Sequence, residues 1–128
     1  MGYNGLKKSW IFPGQGSQFV GMCKDLFDST DVVKKYYNLA NEILEVDIQD
    51  ISFNGPEEKL KITKYTQPAI FIVSSVISHL LTESGHVPGC VAGHSLGEYS
   101  ALTAAGGISF ETGLELVKIR SNSMDKAG

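Results

Sequence analysis

The pentapeptide Gly93-His94-Ser95-Leu96-Gly97 constrains this chain more than any other stretch. The apolar run Cys90-Val91-Ala92 precedes it, and the helix-forming run Glu98-Tyr99-Ser100-Ala101-Leu102-Thr103-Ala104-Ala105 follows. A strand, a Gly-x-Ser-x-Gly turn and a helix in that order make a nucleophile elbow. The turn is tight enough to strain Ser95 and push its hydroxyl clear of the backbone. Gly93 and Gly97 carry no Cβ, so strand and helix can approach closely on either side. The Leu96 amide, at the start of the new helix, would point toward an oxyanion formed beside Ser95. This pattern fits acyl transfer or ester hydrolysis.

Upstream, Ser9-Trp10-Ile11-Phe12 reads as a short buried strand stopped by Pro13-Gly14. The loop Gly14-Gln15-Gly16-Ser17-Gln18 follows, and a helical run begins near Val20. Phosphate cradles fail here. A dinucleotide loop needs glycine where Phe19 stands, and a P-loop needs Gly-Lys-Ser/Thr where Gly21-Met22-Cys23 stands. The loop is then either a plain tight turn or the donor of a second oxyanion N–H, which first-strand loops supply in elbow architectures.

Thr30 or Asp31 can cap the next helix, because Val32, Val33, Tyr36, Tyr37, Ala40, Ile43 and Leu44 recur at helical spacing. Asp47 to Gly55 reads as a connector with Ile48 and Ile51 tucked inward. Pro56 then opens a charged turn, Glu57-Glu58-Lys59-Leu60, that forms a solvated face. Thr66-Gln67-Pro68 is expected to start the most apolar helix, with Pro68 in the first turn, where its missing N–H costs nothing. Gln67, ahead of an otherwise apolar helix, could line a polar site or serve as a cap or solvent residue, with a slight preference for the second. Ala69, Ile70, Ile72, Val73, Val76, Ile77, Leu80 and Leu81 cover more than one face of that helix, so it should be largely buried before Gly85 ends it. Beyond the elbow, Gly106-Gly107 stops one helix and Ser109 caps the last, with Glu111 suiting its macrodipole. Phe110, Leu114, Val117 and Met124 form the last helix's apolar stripe. Arg120 borders that stripe, a position that on its own suggests a surface residue.

The chain has 128 residues, a length for one domain, and 42% hydrophobic with 20% charged residues fits a globular protein. A net charge of −3 without a basic run argues against nucleic acid as a partner. No apolar stretch is long enough to cross a bilayer. The N-terminal Met1-Gly2-Tyr3-Asn4-Gly5-Leu6-Lys7-Lys8 lacks an apolar signal region, and Leu6 spoils a myristoylation site. Cys23 and Cys90 form no Cys-x-x-Cys pair and read as two free, buried thiols in a reducing compartment. The expected location is cytoplasmic, with a lipid-synthesising organelle as the alternative. Two strands and four or five helices are expected. Two parallel strands cannot form a sheet covered on both faces, so the chain reads as the N-terminal part of a larger α/β unit.

Phe12-Pro13-Gly14-Gln15-Gly16-Ser17-Gln18 and Gly93-His94-Ser95-Leu96-Gly97-Glu98-Tyr99 together resemble malonyl-CoA:acyl carrier protein transacylases and the acyltransferase domains of fatty acid and polyketide synthases. Thr66-Gln67-Pro68-Ala69 and Lys118-Ile119-Arg120 fall in the family's order. The likeness runs from about Trp10 to the end of the chain. It implies an α/β fold: the N-terminal part of an α/β-hydrolase-like large subdomain with a parallel sheet and nucleophile elbow. The family's ferredoxin-like small subdomain is absent from the chain, so residues 1–128 make an incomplete malonyl/acyltransferase domain. The resemblance further implies ping-pong transfer of malonyl from malonyl-CoA, through Ser95, to the phosphopantetheine thiol of an acyl carrier protein. Backbone amides of Gln15 and Leu96 would form the oxyanion hole. Arg120 would pair bidentately with the malonyl carboxylate, a task suited to guanidinium geometry. No cofactor and no metal are implied.

The chain departs from the family in length. The family is more than twice as long and takes its catalytic histidine from a part absent here, and a serine hydroxyl needs such a base. The three histidines present do not replace it: the His94 side chain should project away from that of Ser95, His79 lies in a mostly buried helix, and His86 lies in a turn. Weak or no transacylase activity is expected of the chain alone. A serine esterase would share the Gly-x-Ser-x-Gly but not the Gly-Gln-Gly-Ser-Gln loop or the arginine. A non-catalytic, carrier-protein-binding piece would fit the missing histidine.

Overall fold

The structure is a computed structural model and describes residues 8–128. The reading of the N-terminus falls mostly on residues 1–7, outside the described residues. The elements run β1 (Ser9–Phe12), α1 (Lys24–Ser29), α2 (Asp31–Leu44), α3 (Ile48–Asn54), α4 (Glu57–Leu60), α5 (Thr63–Glu83), β2 (Cys90–Gly93), α6 (Gly97–Ala104) and α7 (Phe110–Ala127). The two strands pair in parallel, with Ser9 opposite Cys90 and Phe12 opposite Gly93. A mostly helical body with a small parallel sheet is the expected N-terminal part of an α/β subdomain. Seven helices stand among the described residues, more than the four or five expected, because several are short.

The long helix α5 is the axis of the core. Ala69, Ile70, Phe71, Ile72 and Val76 on it are all buried. They pack with Leu114 and Val117 of α7, Val33, Tyr37 and Ala40 of α2, and Ile48 and Ile51 of α3. Each buried valine, leucine or isoleucine among them contributes roughly 1.5–3 kcal/mol by leaving water. Gly113 lets α7 close on α5, since a Cβ there would lie 2.6 Å from Phe71 Cζ. Among its large apolar residues, α5 opens to solvent in its C-terminal turns, at Ile77 and Leu81.

Several local expectations change. Helix α5 begins at Thr63, so Pro68 sits inside it rather than in its first turn. The Thr66 hydroxyl ties that start down, donating to Leu60 O and, at 3.0 Å, to Ile62 O. Asp47 to Gly55 is a helix rather than a connector: the Asp47 carboxylate caps it by accepting from the Asp50 N–H, while Ile48 and Ile51 point inward as expected. The run expected from Val20 becomes helical only at Lys24. Strand β1 is not buried as a whole. Phe12 is covered, but Ile11 is 76% exposed, because α6 and β2 pack against it without covering its outer face. Cys90 is likewise exposed, whereas Cys23 is buried as expected. Ser109 caps α7 as read, accepting from Thr112 N–H, and the Glu57-Glu58-Lys59 turn is exposed.

Burial pushes up the Cys23 thiol and the Tyr36 phenol, and pushes up Tyr37 further with the Cys23 thiol beside it. The folded state therefore keeps protons that the unfolded chain releases. Their contribution to stability is complete below the ordinary thiol and phenol range and falls as pH climbs through it. Denaturant midpoints are expected to drop across the alkaline range, with Tyr37→Phe flattening the drop. Midpoints constant into that range would contradict it.

Candidate active site

Strand β2 ends at Gly93 and α6 starts at Gly97, leaving Ser95 in the three-residue turn between them. Ser95 has φ 56°, a left-handed conformation that costs an L-residue roughly 1–2 kcal/mol. Both glycines are there for close approach. A Cβ on Gly93 would lie 2.0 Å from Gly97 O, and one on Gly97 would lie 2.1 Å from Phe12 O. The turn is closed by Gly97 N–H donating to His94 O at 2.9 Å and tied to β1 by His94 N–H donating to Phe12 O at 3.1 Å. Ser95 itself is exposed. Because alanine and glycine both remove the hydroxyl, their comparison isolates backbone strain. Ser95→Gly is expected to be more stable than Ser95→Ala by about 1 kcal/mol in thermal melts. Equal stabilities would mean the elbow is relaxed.

The loop after β1 reaches the elbow. Gly14 is buried with no room for a side chain, since its Cβ would fall 2.6 Å from His94 O. This puts the next residue, Gln15, on the elbow's flank. Its side chain donates to Thr63 Oγ1 at 3.2 Å, joining the loop to the start of α5. Among the described residues, neither the Gln15 N–H nor the Leu96 N–H makes a hydrogen bond, so both amides are free to donate. The Leu96 side chain is buried and anchors its end of the pair.

Arg120 of α7 crosses to the same point. Its Nη2 donates to Ser95 Oγ at 2.9 Å and its Nη1 to Gln67 Oε1 at 2.7 Å, and the guanidinium carbon lies 5.7 Å from the Tyr99 ring centre. Arg120 is half-buried rather than a surface residue. None of the ion pairs among the described residues involves it. A half-buried cation held only by neutral acceptors is suited to an incoming carboxylate. The structure thus brings Ser95 and Arg120 into direct contact, with Gln15 and Leu96 on the two segments that flank the serine.

Gln67 is neither a cap nor a solvent residue. It is 1% exposed and, besides accepting from Arg120, donates through Nε2 to Met124 Sδ at 3.3 Å. The available clue was a lone amide in an otherwise apolar stretch, which must find buried partners if it is not at a helix end. No histidine among the described residues hydrogen-bonds Ser95. His79 pairs instead with the Tyr36 hydroxyl at 3.1 Å and lies 3.5 Å from Glu83, while His86 and His94 are exposed. Among the described residues no group of acidic, cysteine or histidine side chains is arranged to hold a metal ion. No helix described is long and apolar enough to cross a membrane.

An exposed, strained serine between a parallel strand and a helix, with an arginine on its hydroxyl, defines an α/β protein of the nucleophile-elbow class. Within that class, the chain belongs to the acyl transferase domain family, whose model matches residues 9–128. It is 48% identical over 122 residues to the malonyl CoA-acyl carrier protein transacylase of Synechocystis, covering 95% of this chain and 41% of that one. The crystal structure of the Synechocystis malonyl-CoA:ACP transacylase superposes with a TM-score of 0.91 at 48% identity, over 95% of this chain and 41% of that one. A complex of a type II PKS acyl-carrier protein with its malonyl-transacylase matches through a chain 41% identical, TM-score 0.89, over 95% of this chain and 40% of that one. The chain thus spans about two-fifths of the length of these relatives.

Proposed function

We propose that the chain carries the nucleophile and carboxylate clamp of a malonyl-CoA:acyl carrier protein S-malonyltransferase. The observation that carries this reading is the Arg120 guanidinium on Ser95 Oγ at 2.9 Å, without a carboxylate partner of its own. In the first half-reaction Ser95 Oγ attacks the thioester carbonyl of malonyl-CoA. The C–S bond breaks, the serine proton passes to the coenzyme A thiolate, and a malonyl ester remains on Ser95. In the second, the phosphopantetheine thiol of the carrier protein attacks that ester, its proton returns to Ser95, and malonyl leaves as the new thioester. Amides of Gln15 and Leu96 stabilise the tetrahedral oxyanion. Arg120 leaves the hydroxyl to grip the malonyl carboxylate. Acetyl-CoA would leave that charge unpaired, which sets the preference for a dicarboxylic acyl group.

Ser95 Oγ is a poor nucleophile without a base. By the family likeness, that base is a histidine beyond the length this chain spans, so the chain alone should be acylated slowly. The test is intact mass and peptide mapping after incubation with malonyl-CoA, on this chain and on a version extended to the relatives' full length. A malonyl adduct on Ser95, faster in the extended version, supports the reading. No adduct in either overturns it and favours a piece that only binds carrier protein. Acylation by neutral esters without preference for malonyl would point to an esterase.

A further inference from the structure

We propose that Gln67 is a positioning residue that fixes the Arg120 guanidinium while leaving its positive charge unspent; the selectivity part of this proposal rests on the malonyl reading above. Arginine offers five N–H donors on a plane that rotates freely about its long stem unless held. Here Gln67 Oε1 takes an Nη1 proton at 2.7 Å, and Ser95 Oγ takes one from Nη2 at 2.9 Å. The serine contact must give way when the hydroxyl reacts. The Gln67 contact can persist throughout.

Gln67 is well placed to be the fixed point. It lies inside α5, 1% exposed, one residue after Thr66, whose buried hydroxyl is tied to Leu60 O and Ile62 O. Its own amide is held at both ends, the oxygen by Arg120 and the nitrogen by Met124 Sδ. Met124 lies one helical turn beyond Arg120 on α7, so the amide bridges two positions on the same helix. The Tyr99 ring then bounds the guanidinium on another side.

The chemistry of the acceptor matters as much as its position. A carboxylate in this place would hold the guanidinium equally well, but it would neutralise the charge and compete with an incoming carboxylate. A neutral amide orients the cation and leaves its charge for an anionic ligand. Gln67 would thus set both the orientation and the charge of the clamp.

Two readouts test this. The first is 15N NMR of the Arg120 guanidinium in the chain itself, where hindered rotation resolves the Nη signals. Wild type and Gln67→Glu are expected to show resolved signals, and Gln67→Ala averaged ones. Persistence of wild-type signals in Gln67→Ala would overturn the positioning role. The second is the ratio of malonyl to acetyl adduct on Ser95 in the extended version. Gln67→Glu, nearly isosteric and still paired with Arg120, should lower that ratio by about tenfold or more, through loss of malonyl labelling alone. An unchanged ratio would overturn the charge argument. If Gln67→Ala fails to fold, Gln67→Met supplies the same loss of acceptor with the volume kept. If wild type takes no malonyl group, the malonyl reading fails, while the guanidinium spectra still decide whether Gln67 positions Arg120.

Discussion

Alanine at position 95 will abolish the malonyl adduct, and alanine at position 120 will cut it by about 10²–10³-fold while sparing acetyl labelling. In the proposed mechanism Ser95 Oγ is the atom that forms the ester bond, so no residual covalent labelling at this site should survive its removal. Arg120 acts differently. On the proposed reading it contributes nothing to bond formation with a neutral acyl group but supplies, from its half-buried position beside Ser95 Oγ, the charge that receives a carboxylate. Leaving a desolvated carboxylate without that partner costs about 2–5 kcal/mol, a range that contains the roughly 3–4 kcal/mol of the stated loss. Lysine should not rescue it, because an ammonium cannot span the Gln67 amide and a carboxylate with the geometry of a planar guanidinium. Equal losses of malonyl and acetyl labelling in Arg120→Ala would show that the arginine supports the serine rather than selecting the substrate.

The second large effect is structural. Gly97→Ala is expected to cost about 3 kcal/mol and to lower the melting temperature by about 10 °C. The added methyl would fall 2.1 Å from Phe12 O, 2.8 Å from Phe12 C and 3.0 Å from Pro13 O. These are backbone atoms of a paired strand and the residue after it, so no side chain can swing aside to relieve the clash. Helix α6 must retreat from β1, and the His94 N–H bond to Phe12 O that ties the elbow down stretches with it. Ser95 labelling should fall along with stability. A variant that melts and labels like wild type would mean that helix and strand are not in this close contact.

The elbow was legible in the sequence because its requirements are local. Two glycines, a serine, a preceding apolar run and a following helix former leave few other conformations for Gly93 to Gly97. The cap at Ser109 and the inward Ile48 and Ile51 were legible for the same reason. The starts of helices were less so. Pro68 suggested a first turn, but the Thr66 hydroxyl and the residues from Thr63 onward carry the helix back past it. The preference for Gln67 as a cap or solvent residue fails with that shift, since an amide placed at a helix end can face water and one in the helix interior cannot. Its partners, Arg120 and Met124, are 53 and 57 residues away, and local pattern cannot show which distant groups an amide will meet. The exposure of Ile11 and Cys90 was missed because strand composition reports a preference for burial, not the presence of a layer to provide it.

The parallel pairing of β1 with β2 also fixes when the site can exist during folding. Ser9 and Cys90, opposite one another in the sheet, are 81 residues apart. Closing so long a loop carries a large entropic cost and is slow relative to contacts between neighbouring helices. The helices between the strands can gather around α5 before the sheet forms. The elbow is tied to Phe12 and hemmed in by Gly14, so it reaches its final shape only when the chain's beginning returns to the segment after α5. On the proposed reading, acylation of Ser95 is therefore a clock for the last stage of folding: a refolding chain should regain its helical signal early and its serine labelling late.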